Sequence, residues 1–231
     1  MKEKYFEQPS VMSAQQHFSQ VPSADIQRSK FDRSHGTKTT FDAGKLIPIY
    51  VDEVLPGDTF TMNTTAFCRL ATPLKPVMDN MYIDVHYFFV PNRLVWENWA
   101  KFMGERPTPD FDPNTLSVPV QRLSMRECSN PPSGDDLRLR NYFGLPYCAN
   151  NSTTLEVNAL PFRAYKLIWN EWYRDENLQE PVTVPLDDGP DPIAGVLNNL
   201  DALLPRGKRH DYFTSALPWP QRGDPVVLPN Y

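Results

Sequence analysis

"TFTMNTTAFCRLAT" (59–72) and "MYIDVHYFFVP" (81–91) decide the fold class of this chain. In the first, Phe60, Met62, Thr64, Ala66, Cys68 and Leu70 fall on one face and Thr59, Thr61, Asn63, Thr65, Phe67 and Arg69 on the other. In the second, Met81, Ile83, Val85, Tyr87 and Phe89 stand opposite Tyr82, Asp84, His86 and Phe88. A period of two over runs this long predicts half-buried β-strands. "NRLVWENWAKFMGERP" follows directly, with Asn92 placed as an N-cap, Gly104 as a stop and Pro107 just beyond, which predicts a helix.

Working outward, "KLIPIYVDEVLPGDTF" (45–60) adds a short strand at 46–52. Pro48 demotes that strand to an edge, and a Pro-Gly turn at 56–57 leads into the longer one. Residues 1–40 are polar and without sustained periodicity, and read as an extended arm that becomes ordered by lying on something else. Residues 105–158 hold seven prolines and no long periodic segment, and so read as a long loop. A helix is predicted over about 160–176, with Pro161 in its first turn and Asn158 as its cap. Its apolar positions form two stripes, Pro161, Tyr165, Ile168 and Trp172, and Phe162, Trp169 and Tyr173. That arc is wider than one core-facing face requires. Ile193, Val196, Leu197, Leu200 and Leu203 fit a further short helix closed by Pro205.

Composition agrees with a β fold carrying ordered loops. Proline, at 24 of 231 residues, is about twice its usual share while glycine, at 10, is low, so the connections are stiff rather than flexible. Apolar residues at 40% and aromatics at 12% can build a core, which opposes low-complexity disorder. The length suits one large domain or two small ones. The net charge of −5 excludes a generally basic nucleic-acid binder, although residues 1–40 carry +2 and the rest −7. Cys68, Cys128 and Cys148 form no paired motif and have no metal-ligand spacing with the four histidines. With no apolar leader they read as reduced thiols, Cys68 as a small core residue. No apolar run reaches the ~18 residues of a membrane span, and the sequons at Asn63, Asn150 and Asn151 read as incidental.

No catalytic motif emerges: there is no glycine-rich phosphate loop, no GxSxG and no HExxH. Asp84 and His86 share a strand face and read as its half-exposed polar side. Asp187, Asp188 and Asp191 around Gly189 lack the spacing of a calcium loop and read as a solvated turn. No cofactor is expected. Two basic groups remain, Arg206, Lys208, Arg209 and His210, and the arm residues Arg28, Lys30, Arg33 and Lys38 interleaved with Phe31 and Phe41.

The block "FCRLATPLKPVMDNMYIDVHYFFVPNRLVWENW" resembles the major capsid proteins of the microviruses, small single-stranded DNA phages, and of their gokushovirus branch in particular. The likeness extends to "VPSADIQRSKFDRSHGTKTTFDAGKLIPIYVDEVLPGDTF" (21–60) and "LPFRAYKLIWNEWYRDENLQEPV" (160–182), so it spans most of the chain. Members of that family are considerably longer. The resemblance implies a mainly β protein, an antiparallel viral jelly roll incomplete in this chain, with long loop insertions and short helices. An arm over 1–40 would precede the N-terminal part of a single jelly-roll domain over 41–231, with insertions at about 105–158 and 160–210.

The function implied is structural, self-assembly into a small icosahedral T=1 shell in a virion put together in the bacterial cytoplasm. The partners would be other copies, the remainder of the capsid polypeptide after Tyr231, packaged single-stranded DNA and a small internal DNA-binding protein, with no membrane involved. Trp96, Trp99, Phe162, Tyr165, Trp169 and Trp172 are the expected subunit-interface residues. Arg28, Lys30, Phe31, Arg33 and Lys38 are the expected genome-facing set, since encapsidated DNA needs phosphate neutralisation and stacking platforms. Charge pairing between subunits would need the same residue types. The competing reading is a jelly-roll module that binds a host receptor or glycan through exposed loop aromatics.

Overall fold

The computed structural model describes residues 27–124, 139–145, 154–191, 203–217, 219 and 223. The chain divides into two units, 1–38 and 39–231. In the first, residues 27–38 are exposed and without regular secondary structure.

The second unit is organised around a helix, α3 (Leu160–Ile168), that buries two stripes at once. Asn158 starts it by accepting a hydrogen bond from the Leu160 N–H at 2.9 Å, and proline occupies its first turn. On one side Phe162 and Tyr165 pack with Leu139, Phe143, Val157, Leu203 and Leu204. On the other, Leu160, Ala164 and Leu167 pack with Val95, Trp96 and Trp99. The wide apolar arc is therefore used within the chain as far as Trp169. There the backbone loosens into one π turn (Trp169–Tyr173), closed by the Arg174 N–H on the Trp169 carbonyl at 2.8 Å.

Beside α3 lies a three-stranded sheet in the order β2-β1-β3. Strand β1 (Val120–Ser124) runs antiparallel to β2 (Thr154–Asn158), Val120 opposite Asn158, and parallel to β3 (Pro190–Asp191), Gln121 opposite Asp191. Arg122 and Glu156 form a cross-strand ion pair at 2.8 Å on the wet face. Gly189, at φ 88°, makes the tight turn before β3 that a side chain would strain.

Three expectations are corrected. The segments 46–52, 59–72 and 81–91 carry no strand, and 59–72 is exposed throughout. A strand exists only through its ladder, and among the described residues the pairing beside these segments is a single bridge of Lys45 to Pro205, with the Leu46 N–H donating to the Leu204 carbonyl at 3.0 Å. Cys68 is accordingly exposed instead of in the core. The helix after Asn92 is broken into a 3-10 turn (Asn92–Leu94), in which Asn92 is the first residue and not the cap, and α1 (Trp99–Phe102). Tertiary partners take the backbone between them. The Val95 carbonyl accepts from Arg163 at 3.0 Å, and the Glu97 N–H donates to the Leu186 carbonyl at 3.0 Å. Gly104, at φ 108°, ends the second piece as expected. Finally, the region 105–158 holds β1, β2 and a short helix, α2 (Leu139–Tyr142), and is no uninterrupted loop. The predicted helix through Ile193–Leu200 and the thiols Cys128 and Cys148 lie outside the described residues.

The acidic turn is corrected in part, since Asp191 is buried and Asp188 half-buried while Asp187 stays exposed. Arg163, fully buried, donates to both Asp191 oxygens at 3.1 and 2.5 Å and to the carbonyls of Val95 and Asp187 at 3.0 and 3.1 Å. Asp188 accepts from the Trp96 indole at 2.6 Å and the Asn98 amide at 3.0 Å. Burial pushes its carboxyl up, but these donors outweigh that and hold it below its ordinary range.

Removing one partner of a buried pair strands the other, so Arg163→Ala or Asp191→Ala should cost about 3–5 kcal/mol in urea unfolding. Lys166, buried one turn further along α3, has no hydrogen-bond partner among the described residues, and burial lowers its ammonium to about 8. Below that pH the folded state carries a charge it disfavours, while the unfolded chain keeps its proton to about 10.5. Stability should therefore rise between pH 8 and 10, and Lys166→Met should flatten that rise and stabilise the protein at pH 7.

Candidate functional site

The segment 81–89 is held to the body by every second side chain, the alternation of an extended chain. Asp84 sits between two arginines, accepting from Arg206 at 2.8 Å and Arg209 at 2.6 Å, and chiefly the Arg206 hydrogen bond holds its carboxyl below the usual range. The Arg209 guanidinium also lies 4.3 Å from the Tyr82 ring centroid, a cation–π contact. His86 is hydrogen-bonded through Nδ1 to the Tyr173 hydroxyl at 2.7 Å and stacks on that ring. Phe88 packs against Trp172 and Tyr173, at 5.6 and 6.0 Å between centroids. Asp84 and His86, read as a half-exposed polar face, are half-buried and exposed respectively, and with Tyr82 and Phe88 they carry the tethers.

The anchors are positioned by α3. Tyr165 donates to the Leu46 carbonyl at 2.8 Å and accepts from the Leu204 N–H at 2.9 Å, and the Trp169 indole donates to the Pro205 carbonyl at 2.7 Å. These bonds fix residues 204–206 and so aim Arg206 at Asp84. The π turn supplies the rest. In a regular helix Trp169, Trp172 and Tyr173 would share a face. The wider turn instead leaves Trp169 buried, lays Tyr173 on His86 and turns Trp172 outward, 72% exposed.

On the opposite face Met81, Ile83, Tyr87 and Phe89 are exposed and Val85 is half-buried, and the tethers themselves stay wet, Tyr82 at 67%. Phe60, Met62, Phe67 and Leu70 of the segment 59–72 are exposed too. The two segments meet through a side-chain hydrogen bond between Thr64 and Tyr87 and not through a ladder. Two neighbouring runs with open backbone edges and an apolar face are a template for added strands.

Of the expected interface residues, Trp96, Phe162, Tyr165 and Trp169 are buried in the chain's own core, Trp99 is half-buried and Trp172 is exposed. Arg28, Lys30, Phe31, Arg33 and Lys38 are all exposed in the arm. In the second basic group Arg206 and Arg209 are committed to Asp84, and Lys208 lies 3.6 Å from Asp211. Among the described residues no cluster of histidine, cysteine or carboxylate could hold a metal ion, and no helix is long and apolar enough to cross a membrane. The sequence singled out Arg206 and Arg209 as a basic group but not Asp84 as their partner. Their signal was the i,i+3 spacing of Arg206 and Arg209, whose partner lies far away along the chain.

Comparison with known proteins matches residues 19–230 to the phage capsid protein (F protein) family. The chain belongs to that family. It is 49% identical over 217 residues to capsid protein VP1 of Bdellovibrio phage phiMH2K, covering 93% of this chain and 38% of that protein. It is 46% identical to VP1 of Chlamydia phage 1 and 34% identical to VP1 of Spiroplasma virus 4, each over 95% of the chain. The chain spans about 38% of the length of the curated relatives it matches. The resemblance to microvirus capsid proteins seen in the sequence is therefore sustained.

If the alternating anchors hold the segment, Asp84→Ala combined with Phe88→Ala should release it. Chymotrypsin cleavage after Tyr82, Tyr87 and Phe89 should accelerate several-fold, with little change in the thermal midpoint of the body. An unchanged cleavage pattern would show that something else holds 81–89 in place.

Proposed function

We propose that this chain is the structural scaffold of a capsid subunit, and that its segments 59–72 and 81–89 become strands of an antiparallel jelly roll on pairing with polypeptide outside residues 1–231. The observation that carries the reading is that 81–89 is held by alternate side chains only, while its backbone edges and the apolar Met81, Ile83, Tyr87 and Phe89 stay exposed. Long apolar runs with unpaired edges aggregate unless they are covered, and a jelly roll has eight strands in two sheets. Family membership supplies the context, since its named relatives are capsid proteins.

On this reading the assembled form is a small icosahedral T=1 shell of identical copies, made in the bacterial cytoplasm and enclosing single-stranded DNA with a small internal DNA-binding protein. Stiff proline-rich connections suit that role, because they lose little entropy on docking. The arm residues Arg28, Lys30, Phe31, Arg33 and Lys38 fit a polyanionic partner, either packaged DNA or an acidic protein surface. The exposed aromatics run along two segments with open backbone edges, which favours strand pairing over receptor or glycan binding.

Ile83→Asp and Phe89→Asp place charge on the open face and touch none of the anchors. Produced together with the remainder of the capsid polypeptide, these variants should fail to form particles by size-exclusion chromatography and electron microscopy. The buried core should keep its circular dichroism spectrum. Particles of normal size and yield from both variants would contradict the proposal.

A further inference from the structure

Trp172 lies on the wrong side to be covered by strand pairing. Its ring rests against Phe88, on the tethered face of the segment, whereas added strands would cover the backbone edges and the opposite face. Completing a sheet on 81–89 therefore leaves Trp172 exposed, together with Leu178 at 64%. The surrounding turn is held rigidly. Asn170 donates to the Val182 carbonyl at 2.7 Å and accepts from the Val182 N–H at 2.9 Å, and Arg174 donates to the Gln179 carbonyl at 2.9 Å. The Asp175 N–H donates to the Gln179 side chain at 3.1 Å. A rigid exposed tryptophan with its own loop braced around it is pre-organised for a partner.

Charge selects that partner. Residues 169–180 carry Glu171, Asp175, Glu176 and Glu180 against Arg174, a net of −3, with Glu171 and Glu180 exposed. Residues 27–38 of the arm carry Arg28, Lys30, Arg33 and Lys38 against Asp32, a net of +3. Asp32 is occupied locally, accepting from the N–H and hydroxyl of Ser34 at 3.0 and 2.5 Å. Phe31 stands in the middle of those cations, 79% exposed. An acidic surface with a tryptophan and a basic strip with a central phenylalanine are opposite in sign and alike in aromatic content. Lysine or arginine over an indole adds a cation–π contact.

We infer that the turn 169–180 is the docking site for the basic arm, residues 27–38, of a second copy of this chain, with Phe31 set against Trp172. The inference rests on the capsid reading and names a contact within it. It assigns the arm's cations to protein and not to nucleic acid.

The test replaces Phe31 by the photoreactive p-benzoylphenylalanine in the full capsid polypeptide and assembles particles from equal amounts of isotopically heavy and light copies. After irradiation, mass spectrometry should find heavy–light cross-links from position 31 to residues 169–180. Lys30→Glu with Arg33→Glu should lower that yield about tenfold, and adding Glu171→Lys with Glu180→Lys should restore it. Leu178→Ala, exposed on the same turn as Trp172 and outside the tethers of 81–89, should lower it while particles still form. Cross-links confined to one copy, to another surface or to nucleic acid would each overturn the inference. Particles lacking the heavy–light pair overturn this contact alone, whereas absence of particles by electron microscopy overturns the capsid reading beneath it.

Discussion

The buried pair of Arg163 and Asp191 is the interaction on which the other contacts depend. One guanidinium ties α3 to β3 through the carboxylate, to the Trp96 turn through the Val95 carbonyl and to the acidic turn through the Asp187 carbonyl. A side chain fully out of water can hold a charge only when its donors are matched, and here both carboxylate oxygens and two carbonyls do so. Such pairs contribute less to net stability than to uniqueness, because few other packings satisfy the same donors. With α3 fixed, Tyr165 and Trp169 place residues 204–206, Arg206 then reaches Asp84, and the tethered face of 81–89 follows. The open face is the remote consequence of a core ion pair.

That chain of dependence separates two kinds of order. The body around α3 has its own apolar clusters and its own sheet. The segments 59–72 and 81–89 have side-chain tethers but no ladder, so their backbone groups are left to water or to a partner. Burial of their open apolar face is the driving force available for association, at ~25 cal/mol for each Å² removed from water. The π turn adds a second, separate surface by parting Trp172 from Trp169. Strand pairing and arm docking can therefore proceed on different sides of one segment.

Much of this was legible in the sequence, and the exceptions have physical causes. The helix at α3 was readable because Asn158, Pro161 and a 3.6-residue apolar repeat agree. The two-residue alternation of 81–89 was readable also, but not which face carries the tethers. Asp84 and His86 look like solvent residues until Arg206, Arg209 and Tyr173, distant in sequence, arrive beside them. Strand β1 was hidden because its inward positions include Gln121 as well as Leu123, whereas "TLEVN" at β2 alternates cleanly and could have been found. The acidic turn misled for the same reason: a lone Asp191 reads as solvated until Arg163 is known to be buried against it. Spacing put Trp172 and Trp169 on separate stripes but not which of them is buried, since spacing assumes a regular helix and the π turn breaks it.

The central claim is that 59–72 and 81–89 acquire their ladder only on association while the α3 core is complete without it. Hydrogen–deuterium exchange on free subunits and on assembled particles measures both at once. Amides of 160–169 should be protected in either state, whereas those of 59–72 and 81–89 should exchange fast in free subunits and slow by orders of magnitude in particles. Equal protection of the two segments in both states would contradict the account.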